Sequence, residues 1–509
     1  VVDETQPAER LSGLVARLEA LATAGHELEL EAALCPRGAV VEVGDGVAQV
    51  IGLEAVGSEE LVIFDSGACG MAYDLAADRT GVVMLVGADS VCAGEGASPT
   101  GELPSLPVGH EVLGRVVDPL GHPLDGRGPP GGRERAVFRA APELVERAPV
   151  RQPLHTGVMA IDAAIPIGRG QRQLIIGDRN VGKTALALDV VAAQRSSGVI
   201  CVYVVIGQPL SRVLAIRDAL AGSGALAHTV VVAAESAEPP GLQYLAPYAG
   251  MAVAEHVREH GRDALIVFDD LTKHADAYRE LALLMGRPPG REAFPGDIFY
   301  IHAELLERAT AFADAVGGRS ITALPIVETT DSELAAYIPT NLISITDGQI
   351  YLDAARFERN ERPAIDVGRS VSRIGGAAQP ALMRKVAHNL RIDMARAESL
   401  ETLTRVGLDV DPKTRGAIDK GRLLRALLRQ PRFCARSLAD QLLALTAVNE
   451  GWLEGLAPSK AATEVWRAVE AARSRAPELV AALERGEPMA EDWTPQAQTI
   501  FGSIREQAS

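Results

Sequence analysis

Through the middle of the chain, short apolar runs at 173–176, 200–206, 229–233, 264–268 and 320–326 alternate with longer stretches of helical character. These runs are apolar at successive positions, the pattern of strands covered on both faces by crossover helices. Their spacing predicts a mainly parallel sheet over residues 107–386. Residues 37–106 follow a different rhythm. Val40, Val41 and Val43 precede a Gly44-Asp45-Gly46 turn, and Val47, Val50 and Ile51 follow it, which predicts a hairpin. Further strands are predicted at 60–64, 71–75 and 81–86, and short strands so closely spaced suit a small closed β-barrel. Beyond residue 387 the strand pattern stops, and Ala- and Leu-rich helical periodicity runs to 509, predicting a helical domain. Residues 1–36 predict a helical extension with Leu11, Leu14, Leu18 and Leu21 on one face. The expected architecture is multidomain: extension, β-barrel (37–106), α/β domain (107–386) and α-helical domain (387–509).

Composition narrows the chemistry. No apolar stretch approaches the length of a membrane span, and the first residues lack the basic flank and apolar run of a signal peptide. A formal charge of −17 argues against a broad nucleic-acid surface. Phosphate ligands stay open, because a Gly-rich loop binds them through backbone N–H groups. Cys35, Cys69, Cys92, Cys201 and Cys434 are scattered, with neither metal-ligand nor redox-pair spacing, and read as buried small hydrophobes.

The most specific motif is Gly177-Asp178-Arg179-Asn180-Val181-Gly182-Lys183-Thr184. An apolar run enters it and a helix-forming run leaves it, the context a phosphate-binding loop requires. In such a loop successive N–H groups point at phosphate oxygens, Lys183 neutralises the terminal phosphates, and the Thr184 hydroxyl suits Mg²⁺. The run at 264–268 ends in Asp269-Asp270, where a parallel strand opens beside that loop. Asp269 is placed to hold the Mg²⁺ shell, and Asp270 is equally suited to capping the next helix.

These residues and their surroundings resemble the alpha subunits of F-type ATP synthases along nearly the whole chain. The matching segments are Ile206-Gly207-Gln208, Leu242-Gln243-Tyr244-Leu245-Ala246-Pro247-Tyr248, Arg287-Pro288-Pro289-Gly290-Arg291-Glu292, Tyr337-Ile338-Pro339-Thr340-Asn341 and Ile343-Ser344-Ile345-Thr346-Asp347-Gly348-Gln349. Pro363-Ala364-Ile365-Asp366 and Ser370-Val371-Ser372-Arg373 fit a segment shared by alpha and beta subunits, whereas residues 1–36 match poorly.

The resemblance implies a barrel crown, a RecA-like P-loop domain binding ATP or ADP with Mg²⁺, and a helical C-terminal domain. It implies a ring of three alpha and three beta subunits around a gamma shaft, with a delta-type peripheral-stalk subunit and no nucleic-acid partner. The membrane would be met only through a proton- or sodium-translocating sector, at the cytoplasmic face of a bacterial plasma membrane. Catalytic beta subunits carry Glu where Gln208 stands, and an amide cannot accept a proton, so this chain's own site is expected to bind without hydrolysing. Arg373, with Ser370 beside it, is expected to serve chemistry in the neighbouring beta site as an arginine finger. By the same carry-over Phe357, Arg362, Pro363 and Gln430 line the adenine pocket. Pro209-Leu210 in place of the usual Lys-Arg, Asn180-Val181 in place of Gln-Thr, and Arg432 in place of Gln depart from the family and point to a divergent bacterial paralogue.

Three other readings compete. A self-sufficient hexameric ATPase, beta-type or secretion-type, needs a carboxylate at position 208. A hexameric RNA helicase needs a basic, aromatic face. A nucleotide-free structural subunit could dispense with the phosphate loop, which is intact.

Overall fold

The computed structural model describes residues 37–405, 411–453, 456–486 and 493–508. The helix expected over 1–36 lies outside them. Strands β1 (Gly38–Gly44), β2 (Val47–Ile51), β3 (Leu61–Phe64), β4 (Cys69–Leu75), β5 (Thr80–Val86) and β6 (Gly96–Pro99) close a barrel in the order β1-β2-β5-β4-β3-β6. The first five lie where apolar alternation places them. The sixth reads Gly-Ala-Ser-Pro, too small and polar to announce a strand, yet it pairs with both β1 and β3 and seals the seam. Along β5 successive residues point to opposite faces, and both faces are buried. Val82 and Met84 fill the barrel, while Val83 and Leu85 face the neighbouring domain. That docking is close: a Cβ on Gly241, in the helix Pro240–Glu259, would stand 2.3 Å from Val83.

The central sheet comprises β7 (Val116–Val117), β8 (Leu174–Asp178), β9 (Ile200–Gln208), β10 (Thr229–Glu235), β11 (Ala264–Asp269), β12 (Ile321–Thr329), β13 (Gly348–Leu352) and β14 (Val371–Ser372). Their order is β14-β13-β8-β12-β11-β9-β10-β7. Every neighbouring pair is parallel except β13 with β14. Alternation within β9 divides two cores: Tyr203 and Val205 join one, Val202, Val204 and Ile206 the other. Helices Lys183–Ala193 and Leu210–Gly222 cover the first face; Pro240–Glu259 and Leu271–Leu284 cover the second.

From Ala381 onward the described residues form helices, with Leu438–Asn449 at the centre, buried along nearly its whole length. None of the described helices is long and apolar enough to cross a membrane. The core runs unbroken from the sheet into this bundle. Polar ties reinforce the junction at Asp162, which accepts from Thr156 Oγ1 (2.6 Å), the N–H groups of Thr156 and Gly157, and Gln441 Nε2 (2.8 Å). Cys35 lies outside the described residues; among the four described cysteines only Cys201 is buried as expected, Cys92 and Cys434 are exposed, Cys69 lies between, and all four are free.

His155 completes that junction, its Nδ1 3.0 Å from Asp162 and its Nε2 2.9 Å from the Arg436 carbonyl. Burial by itself would lower the imidazole pKa, but the Asp162 charge and hydrogen bond, with the Arg436 carbonyl, overturn this and raise it to about 9. A base raised in the folded state contributes stability that is complete below its unfolded pKa of 6.5 and lost as pH climbs through about 9. The stability difference between wild type and His155→Gln, from denaturant unfolding, should be widest near about pH 6 and narrow towards about pH 10. A difference independent of pH would place the imidazole outside this ion pair.

Candidate functional site

Strand β8 delivers the loop 177–184 at the C-terminal edge of the sheet, where open α/β sheets bind ligands. A Cβ on Gly177 would lie 2.5 Å from the Leu352 carbonyl, so the adjacent strand itself demands glycine. Asn180 (φ 63°) and Gly182 (φ 98°) turn the chain through the left-handed region. The helix Lys183–Ala193 then starts with no side chain capping its first turn, leaving its N–H groups free for an anion.

Lys183 is buried, and its Nζ donates to the carbonyls of Gly177 (2.9 Å) and Asp178 (2.6 Å). Burial pulls its pKa down, against the attraction of Glu328, Asp270 and Asp269. Glu328, at the end of β12, stands 3.5 Å from Lys183 and accepts from Arg179 Nε at 2.9 Å. Asp178 turns away from the loop cavity to accept from Thr329 Oγ1 and both the N–H and hydroxyl of Ser332, so it contributes main chain rather than carboxylate to a ligand. Val181 is buried.

Thr184 Oγ1 donates to Asp269 Oδ2 at 2.8 Å, and Tyr203 OH donates to the same oxygen at 2.9 Å. Burial raises the Asp269 pKa, partly countered by these two bonds. A hydroxyl and a buried carboxylate converging beside a phosphate loop are hard oxygen donors of the kind Mg²⁺ takes, so the residues present fit that ion. Asp270 caps the helix Leu271–Leu284 by accepting from the Lys273 N–H at 2.9 Å. Burial, and next the charge of Asp269, raise the Asp270 carboxyl to about 7. An irregularity in β9 between Ile206 and Gln208 turns Gln208 towards this pair, its Nε2 3.5 Å from Asp270 Oδ2. Pro209 follows as N-cap of the helix Leu210–Gly222.

The residues expected around a base are gathered beside the loop, but several are already engaged. Phe357 is near enough that a Cβ on Gly182 would approach its ring to 3.9 Å. The Arg362 guanidinium lies 4.5 Å over one face of that ring, and the Arg362–Pro363 bond is cis. Gln430 Nε2 donates to the carbonyls of Gly157 (2.7 Å) and Cys434 (2.6 Å), and its Oε1 accepts from the Met159 N–H (3.2 Å). Its amide can read a base edge only by releasing one of these. Arg432 stacks on Phe433 at 4.8 Å, and the Phe433 N–H donates to Asp189.

Ser370 lies in the loop that leads to Arg373. The side chain is fully buried, its hydroxyl donating to the Asp366 carbonyl (2.6 Å) and accepting from the Tyr351 N–H (2.9 Å). With both bonds made to main chain, the hydroxyl holds the loop that carries Arg373. Arg373 behaves differently. Its guanidinium is exposed, bonded only to the Ile343 carbonyl at 3.2 Å, with no carboxylate partner among the described residues. It also lies at the opposite edge of the sheet from the phosphate loop. Ser372 pairs with Gly348, whereas Gly177 is level with Leu352, four residues further along β13, or about 13 Å at ~3.3 Å per residue.

Glu328 and Tyr203 went unrecognised in the sequence. Glu328 carried a usable signal, a carboxylate directly after an apolar run, the same feature that marks Asp269. Tyr203 carried none, being an aromatic within a buried strand. Among the described residues no cluster of three or more His, Cys, Asp or Glu side chains could hold a metal alone.

Known proteins match the chain over most of its length. Residues 37–101 match the beta-barrel domain of the ATP synthase alpha/beta family, 157–372 its nucleotide-binding domain, and 379–504 its C-terminal domain. The chain is 48% identical over 456 residues to ATP synthase subunit alpha 2 of Syntrophotalea carbinolica, covering 89% of this chain and 87% of the relative. It is 51% identical over 422 residues to ATP synthase subunit alpha 1 of Marinomonas sp., covering 82% and 83%.

Lys183→Ala removes the cation that the loop holds at its centre. Charge-assisted hydrogen bonds of ~1.5–3 kcal/mol imply a loss of about 10- to 100-fold in Mg-nucleotide affinity, measurable by calorimetry. Undiminished affinity would place the phosphates elsewhere.

Proposed function

The chain belongs to the ATP synthase alpha/beta family, among its F-type alpha subunits, and on that premise we propose that it is the nucleotide-binding, non-catalytic member of the ring. It alternates with beta subunits, three of each, about a gamma shaft, and lends Arg373 to the beta site. A delta-type stalk subunit and a proton- or sodium-translocating sector complete the machine at the cytoplasmic face of a bacterial membrane. The same reading divides the chain at about residues 37, 107 and 387.

The observation that carries the proposal is the position of Arg373: an exposed guanidinium at the sheet edge remote from this chain's own phosphate loop. Such a side chain has no use at its own site, and every use at a neighbour's. Held by the Ile343 carbonyl, it is oriented before a substrate arrives, and a preorganised cation gains most as charge spreads over a transferring phosphoryl group.

At this chain's own site the free N–H groups of the loop and Lys183 bind phosphates. Thr184 and Asp269 would hold Mg²⁺, which would supply neutralisation of phosphate charge. Gln208 can orient a water molecule but cannot take its proton, so the nucleotide stays intact.

Arg373→Ala in reconstituted rings should lower steady-state ATP hydrolysis by roughly 10³-fold, mostly in kcat. Nucleotide binding by the isolated chain should be unchanged. Arg373→Lys should restore little, since an ammonium lacks the planar fork that matches phosphoryl oxygens. An Ala ring that turns over at the wild-type rate excludes the finger, and hydrolysis by the isolated chain, lost in Lys183→Ala, excludes the non-catalytic assignment.

A further inference from the structure

Between the barrel and the sheet domain lies a cleft of ≈ 450 Å³ that the nucleotide site does not use. Its walls are aromatic and come from separate elements: Tyr73 on β4, Phe138 in the segment entering the sheet domain, and Tyr244 and Tyr248 one turn apart on the helix Pro240–Glu259. The rings brace one another, with centroids 5.7 Å apart for Tyr73 and Tyr244, 5.5 Å for Tyr244 and Tyr248, and 5.0 Å for Phe138 and Tyr248. Glu59 and Glu304 line the same cleft.

The charges do not cancel locally. Two arginines also line the cleft, but both are committed elsewhere: Arg139 to Glu255 and Glu259, Arg287 to Asp74 and Asp297. Neither Glu59 nor Glu304 has an ion-pair partner among the described residues. Burial, and then the charge of Glu304, push the Glu59 carboxyl up, so the two carboxylates stand close enough to repel. One wall already receives a guanidinium, since Arg287 lies 4.9 Å over the Tyr73 ring.

Aromatic faces are negative at their centres, and a cation lodged among them beside two unpaired carboxylates is attracted by both. We propose that this cleft is a receptor for an organic cation, an ammonium or guanidinium on an apolar stem. The cation could be carried by a free small molecule or by a Lys or Arg side chain of an adjoining subunit; the second source rests on the ring assembly proposed above.

Calorimetry on the full chain with choline and with arginine amide tests the receptor without any partner, so it stands even if the ring reading fails. At least one probe should bind saturably, and Glu304→Gln or Tyr73→Leu should weaken it by roughly tenfold or more. Unchanged Mg-nucleotide binding shows each variant folded, and Glu59→Gln serves if either is not. Reconstitution with the beta-type subunit separates the sources. Weakened assembly in Glu304→Gln, with arginine amide competing in the wild type, assigns the cation to the partner. Probe binding with unaltered assembly assigns it to a free molecule. No saturable binding of either probe, or binding that the substitutions leave untouched, overturns the proposal.

Discussion

A parallel sheet sealed on both faces can offer chemistry only at its ends. That constraint organises the molecule. Because β9 buries alternate residues in two separate cores, no side chain within it can reach a ligand until the strand ends, at Gln208. The phosphate loop, Asp269 and Glu328 open at the same C-terminal edge because β8, β11 and β12 are parallel and in register there. Arg373 emerges at the other edge only because β14 runs against β13. Reversing one short strand separates a group that serves this chain from a group that faces outward.

Burial makes the charged groups of the site expensive, and each is held by a stand-in for the ligand it resembles. Two carbonyls occupy the donors of Lys183, and two hydroxyls occupy one oxygen of Asp269. These contacts satisfy groups that would otherwise lie unpaired in a poorly polarisable interior. They also fix the geometry before binding, so a nucleotide would replace existing hydrogen bonds and need not assemble the site.

Much of this was legible in the sequence, for identifiable reasons. Unbroken apolar runs report strands covered on both faces, and a loop whose backbone does the binding must betray itself through glycine and lysine. What stayed hidden depends on partners distant in sequence. β6 is a strand because β1 and β3 lie on either side of it, not because Gly-Ala-Ser-Pro favours extension. β13 and β14 are short enough to pass as loop within a recognised motif. The burial of Ser370 was also hidden: only the fold shows its hydroxyl held between two backbone groups, in the loop that carries Arg373. The aromatic cleft was invisible because four segments far apart in the chain build its walls.

Gln430 joins the helical domain to the nucleotide-binding domain, and its hydrogen bonds among the described residues go to main chain: Gly157, Met159 and Cys434 through its amide, Arg362 through its own N–H. Main-chain atoms are common to all residues. The exposed side chain at 434 can therefore be exchanged over generations without cutting the joint, provided the backbone keeps its path, while a single codon change at 430 cuts three bonds together. Heredity can vary that exposed neighbour, and the vulnerability of the seam is concentrated in one letter.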